Sequence, residues 1–355
     1  METENWGELL KREIKEVVGC TEPASIAYAV ARGVDVLEEK SSGVDRENLK
    51  VQLNLSHDVN RNTSTVKVPV VRKKGVIPAA ACGLYATPES FNLFTSINNG
   101  RLEKVEQLLE NEDWIEINPL EKRGVYVEAV VNHGSDSVRV VVRGEHDNVE
   151  KIVFNGETLA APQKKTRLEV KNLKHAEEIM KKDTGELQQI VKKFMEKQGL
   201  LIEELDYDNI IDAVEQVVLQ RMEGESIRVQ TITGSGNQGI FLALPLYSRF
   251  QKEGEDFLPA ALFSVLVQTY LTRREKRLTD KCGLITKSGP ALLAGFLYYR
   301  GVDIEEIENR MDLLVESARG VLCEGAKPSC ALKAYMSLGM VERIENPEGK
   351  SIWKF

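Results

Sequence analysis

The stretch Val125-Tyr126-Val127-Glu128-Ala129-Val130-Val131-Asn132-His133-Gly134-Ser135-Asp136-Ser137-Val138-Arg139-Val140-Val141-Val142 holds two β-branched runs around a polar break. Apolar residues recur at every second position of each run, the repeat of a half-buried strand, and Asn132 to Asp136 supply turn residues, so the stretch predicts a hairpin. Upstream, Val51-Gln52-Leu53-Asn54-Leu55 and Thr65-Val66-Lys67-Val68 alternate in the same way; downstream, Lys151-Ile152-Val153-Phe154 does, and one more strand is expected near Leu168. Residues 88–94 and 102–109 read as helices placed between strands. After about residue 171 the spacing becomes helical, predicting helices over 186–197, 207–222, 258–278, 283–299, 304–322 and 329–338. Before the strands, Trp6, Leu9, Leu10, Ile14, Val17 and Val18 lie on one helical stripe that stops at Gly19, and a second helix is expected from Thr21 as N-cap towards Leu37. Strands and helices are segregated, which predicts an α+β fold: a mainly helical domain from residues 1–44 and 171–355, with residues 45–170 inserted as a β-rich α/β lobe.

The 355 residues suit about two domains. Lys and Arg number 47 against 55 Asp and Glu, a net charge of −8. An acidic chain has no default affinity for phosphate backbones or anionic lipid, which disfavours nucleic acid and membrane surfaces as partners. Gly283 to Tyr299 is the most apolar stretch, but Lys287, Ser288 and Pro290 interrupt it short of the ~20 apolar residues of a bilayer span. The first residues, Met1 to Trp6, lack the basic and apolar regions of an export signal, so a cytoplasmic location is expected. There the five cysteines, Cys20, Cys82, Cys282, Cys323 and Cys330, would remain thiols.

Two segments carry candidate chemistry. Thr233-Gly234-Ser235-Gly236-Asn237-Gln238-Gly239-Ile240 sets glycines, a hydroxyl and two carboxamides ahead of an apolar helix, where backbone N–H groups can receive a carboxylate or phosphate. The alternative is a plain interhelical turn, and the absence of a following Lys-Ser/Thr pair disfavours a nucleotide site. In Cys323-Glu324-Gly325-Ala326-Lys327-Pro328-Ser329-Cys330 a Gly/Pro break lets two thiols converge, with Cys330 in a first helical turn whose dipole favours thiolate. With Cys282, three cysteines of a helical domain can hold a cluster or metal and leave one position open, although each alone is as readily a small core residue. Cys20 precedes a helix start, where the dipole is expected to lower its pKa and suit it as base or nucleophile. Cys82, among Ala79, Ala80, Ala81 and Gly83, reads as packing. The four histidines form no metal-binding pair, which disfavours a zinc hydrolase. Asp58, Asn60, Arg61 and Asn62 occupy a polar break that either faces a pocket or is a solvated loop.

Gly19-Cys20-Thr21-Glu22-Pro23, the Gly234 to Ile240 segment and the Cys323 to Cys330 segment, with Cys282 between them in order, resemble the L-cysteine desulfidase family, itself related to the α-chain domain of iron–sulfur L-serine dehydratases. The resemblance extends over nearly the whole chain, including Glu145-His146-Asp147-Asn148-Val149 and Asn155-Gly156-Glu157. It implies an oxygen-sensitive enzyme with a 4Fe-4S cluster that converts L-cysteine and water to hydrogen sulfide, ammonia and pyruvate. It places Cys282, Cys323 and Cys330 at cluster-ligand positions and Cys20 at that of the proton acceptor. Gly234, Ser235, Gly236, Asn237, Gln238 and Gly239 would bind substrate, with Thr21, Glu22 and Lys327 as supporting groups. Many relatives carry Asn and Lys where this chain has Asp58 and Arg61. L-Serine is the rival substrate. A pyridoxal-phosphate lyase is a rival in cofactor but lacks a Schiff-base lysine segment. A non-catalytic iron or redox sensor is the rival of another class, disfavoured as a DNA binder by the absence of a basic helix.

Overall fold

The computed structural model describes residues 5–160, 167–183, 185–203 and 209–347. In chain order the elements are α1 (Trp6–Glu13), β1 (Ile14–Val18), α2 (Thr21–Lys40), β2 (Lys50–Ser56), α3 (His57–Thr65), α4 (Val76–Tyr85), α5 (Asn99–Leu108), β3 (Ile115–Leu120), β4 (Tyr126–His133), β5 (Asp136–Arg143), β6 (Val149–Phe154) and β7 (Glu157–Ala160). There follow α6 (Leu173–Lys182), α7 (Glu186–Glu203), α8 (Ile210–Met222), β8 (Arg228–Ile232), α9 (Gly236–Glu253), α10 (Leu258–Glu275), α11 (Gly289–Tyr299), α12 (Ile304–Ser317) and α13 (Ser329–Glu345). The fold is α+β and mainly helical, as its patterning predicts. Among the described residues no helix is long and apolar enough to cross a membrane.

The expected hairpin is β4–β5, with Val131 opposite Val138 and Val127 opposite Val142. It lies in a six-stranded sheet of order β3-β2-β4-β5-β6-β7, antiparallel except for the β2–β3 pair. Val127, Ala129, Val131, Val138, Val140 and Val142 are fully buried on one face, and each valine so buried stabilises by roughly 1.5–3 kcal/mol. The element covering that face is α2, assigned from its sequence to the helical domain. Gly33 lets it approach: a Cβ there would stand 2.7 Å from Val131 Cγ2. Helices α9, α10 and α11 are apolar around most of their circumference, and they are correspondingly buried.

Several local expectations differ from the structure. The stripe from Trp6 to Val18 divides after Glu13, because β1 pairs antiparallel with β8 and Val17 meets Val229 in the core. A five-residue strand is too short to show its period against a helical neighbour. Cys20, not Thr21, is the N-cap residue of α2. The polar break after β2 is helix α3, whose N-cap Ser56 accepts a hydrogen bond from Val59 N at 3.4 Å. Thr65 closes that helix, so no strand forms over 65–68; Val66 and Val68 are buried all the same. Leu168 is buried outside any strand, whereas β3, β7, β8, α4 and α6 had no clear pattern. Residues 207 and 208 of the expected 207–222 helix lie outside the described residues.

Candidate active site

A cavity of about 110 Å³ opens where the amino ends of α2 and α9, the 145–148 turn, α8 and the cysteine-bearing loops meet. Gly19, at φ +76°, turns the chain out of β1 so that Cys20 caps α2 in extended conformation. Cys20 is 3% exposed, and its Sγ donates to Glu22 Oε2 at 3.1 Å. Thr21 Oγ1 donates to the same oxygen at 3.0 Å, and Asn62 Nδ2 donates to Glu22 Oε1 at 2.8 Å. His146 Nε2 stands 3.7 Å from Glu22 Oε1, too long for a hydrogen bond but close enough for charge attraction. Neither ring nitrogen of this buried histidine has a hydrogen-bond partner.

These contacts reverse the expected acidity of Cys20. Burial pushes its thiol far above the ordinary range and the Glu22 charge pushes it further, against a smaller opposite effect of Arg221. Cys20 therefore rests as a thiol. Burial raises Glu22 as well, but His146, Asn62 and Cys20 together outweigh that and hold its carboxyl below the usual range. Cys330, expected to be favoured as thiolate by its helix dipole, is likewise raised by burial, and Cys282 is raised to about 11 for the same reason.

The β8–α9 turn faces this group. Thr233 and Gly234 both have positive φ, and a Cβ on Gly234 would stand 3.2 Å from His146 Nδ1 and 2.6 Å from Arg277 Nη1. Ser235 caps α9 by accepting from Gln238 N at 3.4 Å. The two carboxamides already have protein partners: Asn237 Oδ1 accepts from Arg221 Nη1 at 2.6 Å, and Gln238 Oε1 accepts from Gln268 Nε2 at 2.7 Å. Gly234, Ser235, Gly236, Asn237 and Gln238 line the cavity. Gly239 is not among its lining residues; it lies against the backbone of Gln230, in the helix–strand contact.

Three thiols complete the wall. Two short segments lie side by side, Cys282 N donating to Val321 O at 3.0 Å and Cys323 N to Asp280 O at 2.7 Å, which draws Cys282 and Cys323 together. Cys330, in the first turn of α13, points its Sγ towards Gly325 O at 3.8 Å. Cys20, Cys282, Cys323 and Cys330 thus share one cavity, whereas Cys82 is buried in α4. Among the described residues no three His, Cys, Asp or Glu side chains converge closely enough to hold a single metal ion. An all-sulfur set of three suits iron–sulfur chemistry, where each thiolate binds a different iron and the donors stand apart.

Of the polar residues around α3, Asn62 lines the cavity. Asp58 is fully buried and Arg61 lies outside the cavity wall; Arg61 and Arg123 bridge Asp58 to Asp280, whose carboxylate Arg61 Nη1 meets at 3.0 Å. Lys327 pairs with Glu324 at the surface and is not part of the wall. Sequence reasoning passed over Arg221 and assigned His146 no role. Arg221 sits in an ordinary amphipathic helix without a motif; the Gly144-Glu145-His146-Asp147-Asn148 turn was the available signal for the histidine.

Residues 100–341 match the serine dehydratase alpha chain family. A UPF0597 protein of Thermosipho africanus is 30% identical, over 91% of this chain and 83% of the relative. UPF0597 proteins of Clostridium botulinum strain Hall and of Kosmotoga olearia are each 27% identical over 92% of this chain, and over 82% and 84% of their own lengths.

Proposed function

The chain belongs to the serine dehydratase alpha chain family, and on that premise we propose that it is an iron–sulfur lyase that eliminates hydrogen sulfide from L-cysteine, leaving pyruvate and ammonia. The observation that carries this reading is the convergence of Cys20, Cys282, Cys323 and Cys330 on one cavity with the Gly-rich turn before α9. Cys282, Cys323 and Cys330 would hold a 4Fe-4S cluster, which when bound supplies a Lewis acid for the leaving sulfur.

The chain's own residues bind the substrate and move its proton. The substrate carboxylate docks at the amino end of α9, where unpaired backbone N–H groups and the helix dipole attract an anion. The α-proton passes to the group formed by Cys20, Glu22 and His146. Because Cys20 rests as a thiol, it takes up that proton only as its own moves on. The Sγ proton points at Glu22, and His146 stands beyond with both ring nitrogens unpaired. The electron pair of the broken C–H bond forms the Cα=Cβ bond, the C–S bond breaks, and the released aminoacrylate takes up water to give pyruvate and ammonia.

L-Serine is the second reading, favoured by the family match itself. Anaerobic reconstitution with iron and sulfide tests both, with cluster content, pyruvate and sulfide measured together. We expect loaded protein to release pyruvate and sulfide in equal amounts from L-cysteine, faster than it releases pyruvate from L-serine. Faster turnover of serine would favour the second reading. No turnover of either by fully loaded protein would overturn the lyase reading in favour of an iron or redox sensor.

A further inference from the structure

Arg221 is 2% exposed on α8 and has no carboxylate within ion-pair distance among the described residues. A guanidinium carries five N–H donors. One donates to Gly19 O at 2.7 Å, one to Asn237 Oδ1 at 2.6 Å, and Nε has no partner. Both acceptors are neutral, so the charge itself is unanswered.

The other cations of the cavity are accounted for. Arg277 pairs with Glu13 and Glu145, and Lys281 is exposed to solvent; Lys287 also meets only neutral carbonyls, those of Lys276 and Arg277, but it is an amine that burial lowers to about 8, so it can give up a charge that a guanidinium keeps. Arg221 also lies directly against the amino end of α9: a Cβ on Gly236, the first residue of that helix, would stand 2.6 Å from the guanidinium carbon. A buried cation against the positive end of an eighteen-residue helix is unfavourable unless an anion joins them.

We propose that Arg221 and the amino end of α9 together form the site for the substrate's α-carboxylate. The identity of the ligand rests on the amino-acid lyase reading. The site accepts a planar carboxylate in the fork geometry a guanidinium favours. It also ties substrate binding to the proton-handling group, because the same side chain holds the carbonyl of Gly19, the residue before Cys20.

The test uses cluster-loaded protein and two unreactive probes, L-alanine, which keeps the carboxylate, and cysteamine, which lacks it. Calorimetric titration should show L-alanine binding weakened roughly tenfold or more in Arg221→Gln and Arg221→Lys, with cysteamine binding and cluster content unchanged. Should the Gln variant fail to fold, the Lys variant keeps the buried charge and reads the fork alone. Unaltered L-alanine binding in the variants overturns the proposal, as does loss of the cluster together with both probes. A wild-type protein that binds L-alanine no better than cysteamine overturns it too. If L-cysteine and L-serine are not turned over but alanine binding still depends on Arg221, the anion site stands and the lyase reading fails.

Discussion

Cys20 shows how effects of opposite sign on one thiol are decided by magnitude. A helix amino end favours a thiolate by about 0.3–1 kcal/mol. Full burial and a carboxylate at hydrogen-bond distance push the thiol the other way, and they outweigh the dipole. The residue's proposed part in catalysis then depends on its neighbours. Cys20→Ser is expected to keep its cluster and lose about 10²–10⁴-fold in kcat; a variant with full cluster content and full activity would remove Cys20 from the proton path. His146→Asn is expected to fall within the same range in kcat, because its Nε2 stands 3.7 Å from Glu22 Oε1 in the proton-handling group.

Among the elements, the β8–α9 unit sets the position of the cavity floor. Its closeness depends on Gly239, where a Cβ would fall 1.8 Å from Gln230 O and could not be admitted without moving the helix off the strand. Gly239→Ala is therefore expected to destabilise by about 1–3 kcal/mol in denaturant melts, although the residue touches no part of the cavity. The α3 helix has an equivalent role across the cavity. Asp58 Oδ2 accepts from Gly124 N at 2.6 Å, and Oδ1 stands 3.1 Å from Arg123 and 3.4 Å from Arg61. Asp58→Ala would leave the half-buried Gly124 N–H without its acceptor and remove the buried carboxylate that Arg61 and Arg123 face, and is expected to cost about 1–3 kcal/mol, measured by urea unfolding. Its effect on KM should be secondary, since Asp58 lies behind the wall that Asn62 forms.

At the scale of the molecule, the buried thiols make the cluster-free protein sensitive to alkali. Cys82 is raised from 9.0 to about 12 and Cys282 from 9.0 to about 11, both chiefly by burial, so the folded state holds those protons more tightly than the unfolded chain. Their contribution is complete below pH 9 and is lost as pH rises through the folded values. Urea midpoints of the cluster-free protein should fall from pH 9 upward, and Cys82→Ala should flatten part of that fall; a midpoint constant over this range would contradict it. Cluster assembly should show the opposite trend, becoming more favourable with rising pH and releasing protons, because the ligands bind as thiolates.

The features legible in the sequence are those whose cause is local. The period-two runs on either side of Gly134 became β4 and β5, the apolar stretches became the buried helices, and the glycines and Ser235 became a capped helix start at the cavity. Cys20, Cys282, Cys323 and Cys330 could be picked out by their neighbours in the chain. What only the tertiary structure decided depends on partners far apart in sequence. β1 is a strand because β8, more than two hundred residues later, supplies its ladder, and α2 belongs to the sheet because Gly33 fits against Val131. The convergence of Glu22, Asn62, His146 and Arg221 has the same origin, since no spacing along the chain records it. The protonation of Cys20 followed from it: the helix dipole and the carboxylate of Glu22, two residues on, are written in the local sequence, but the desolvation that dominates exists only once the chain has closed around the thiol.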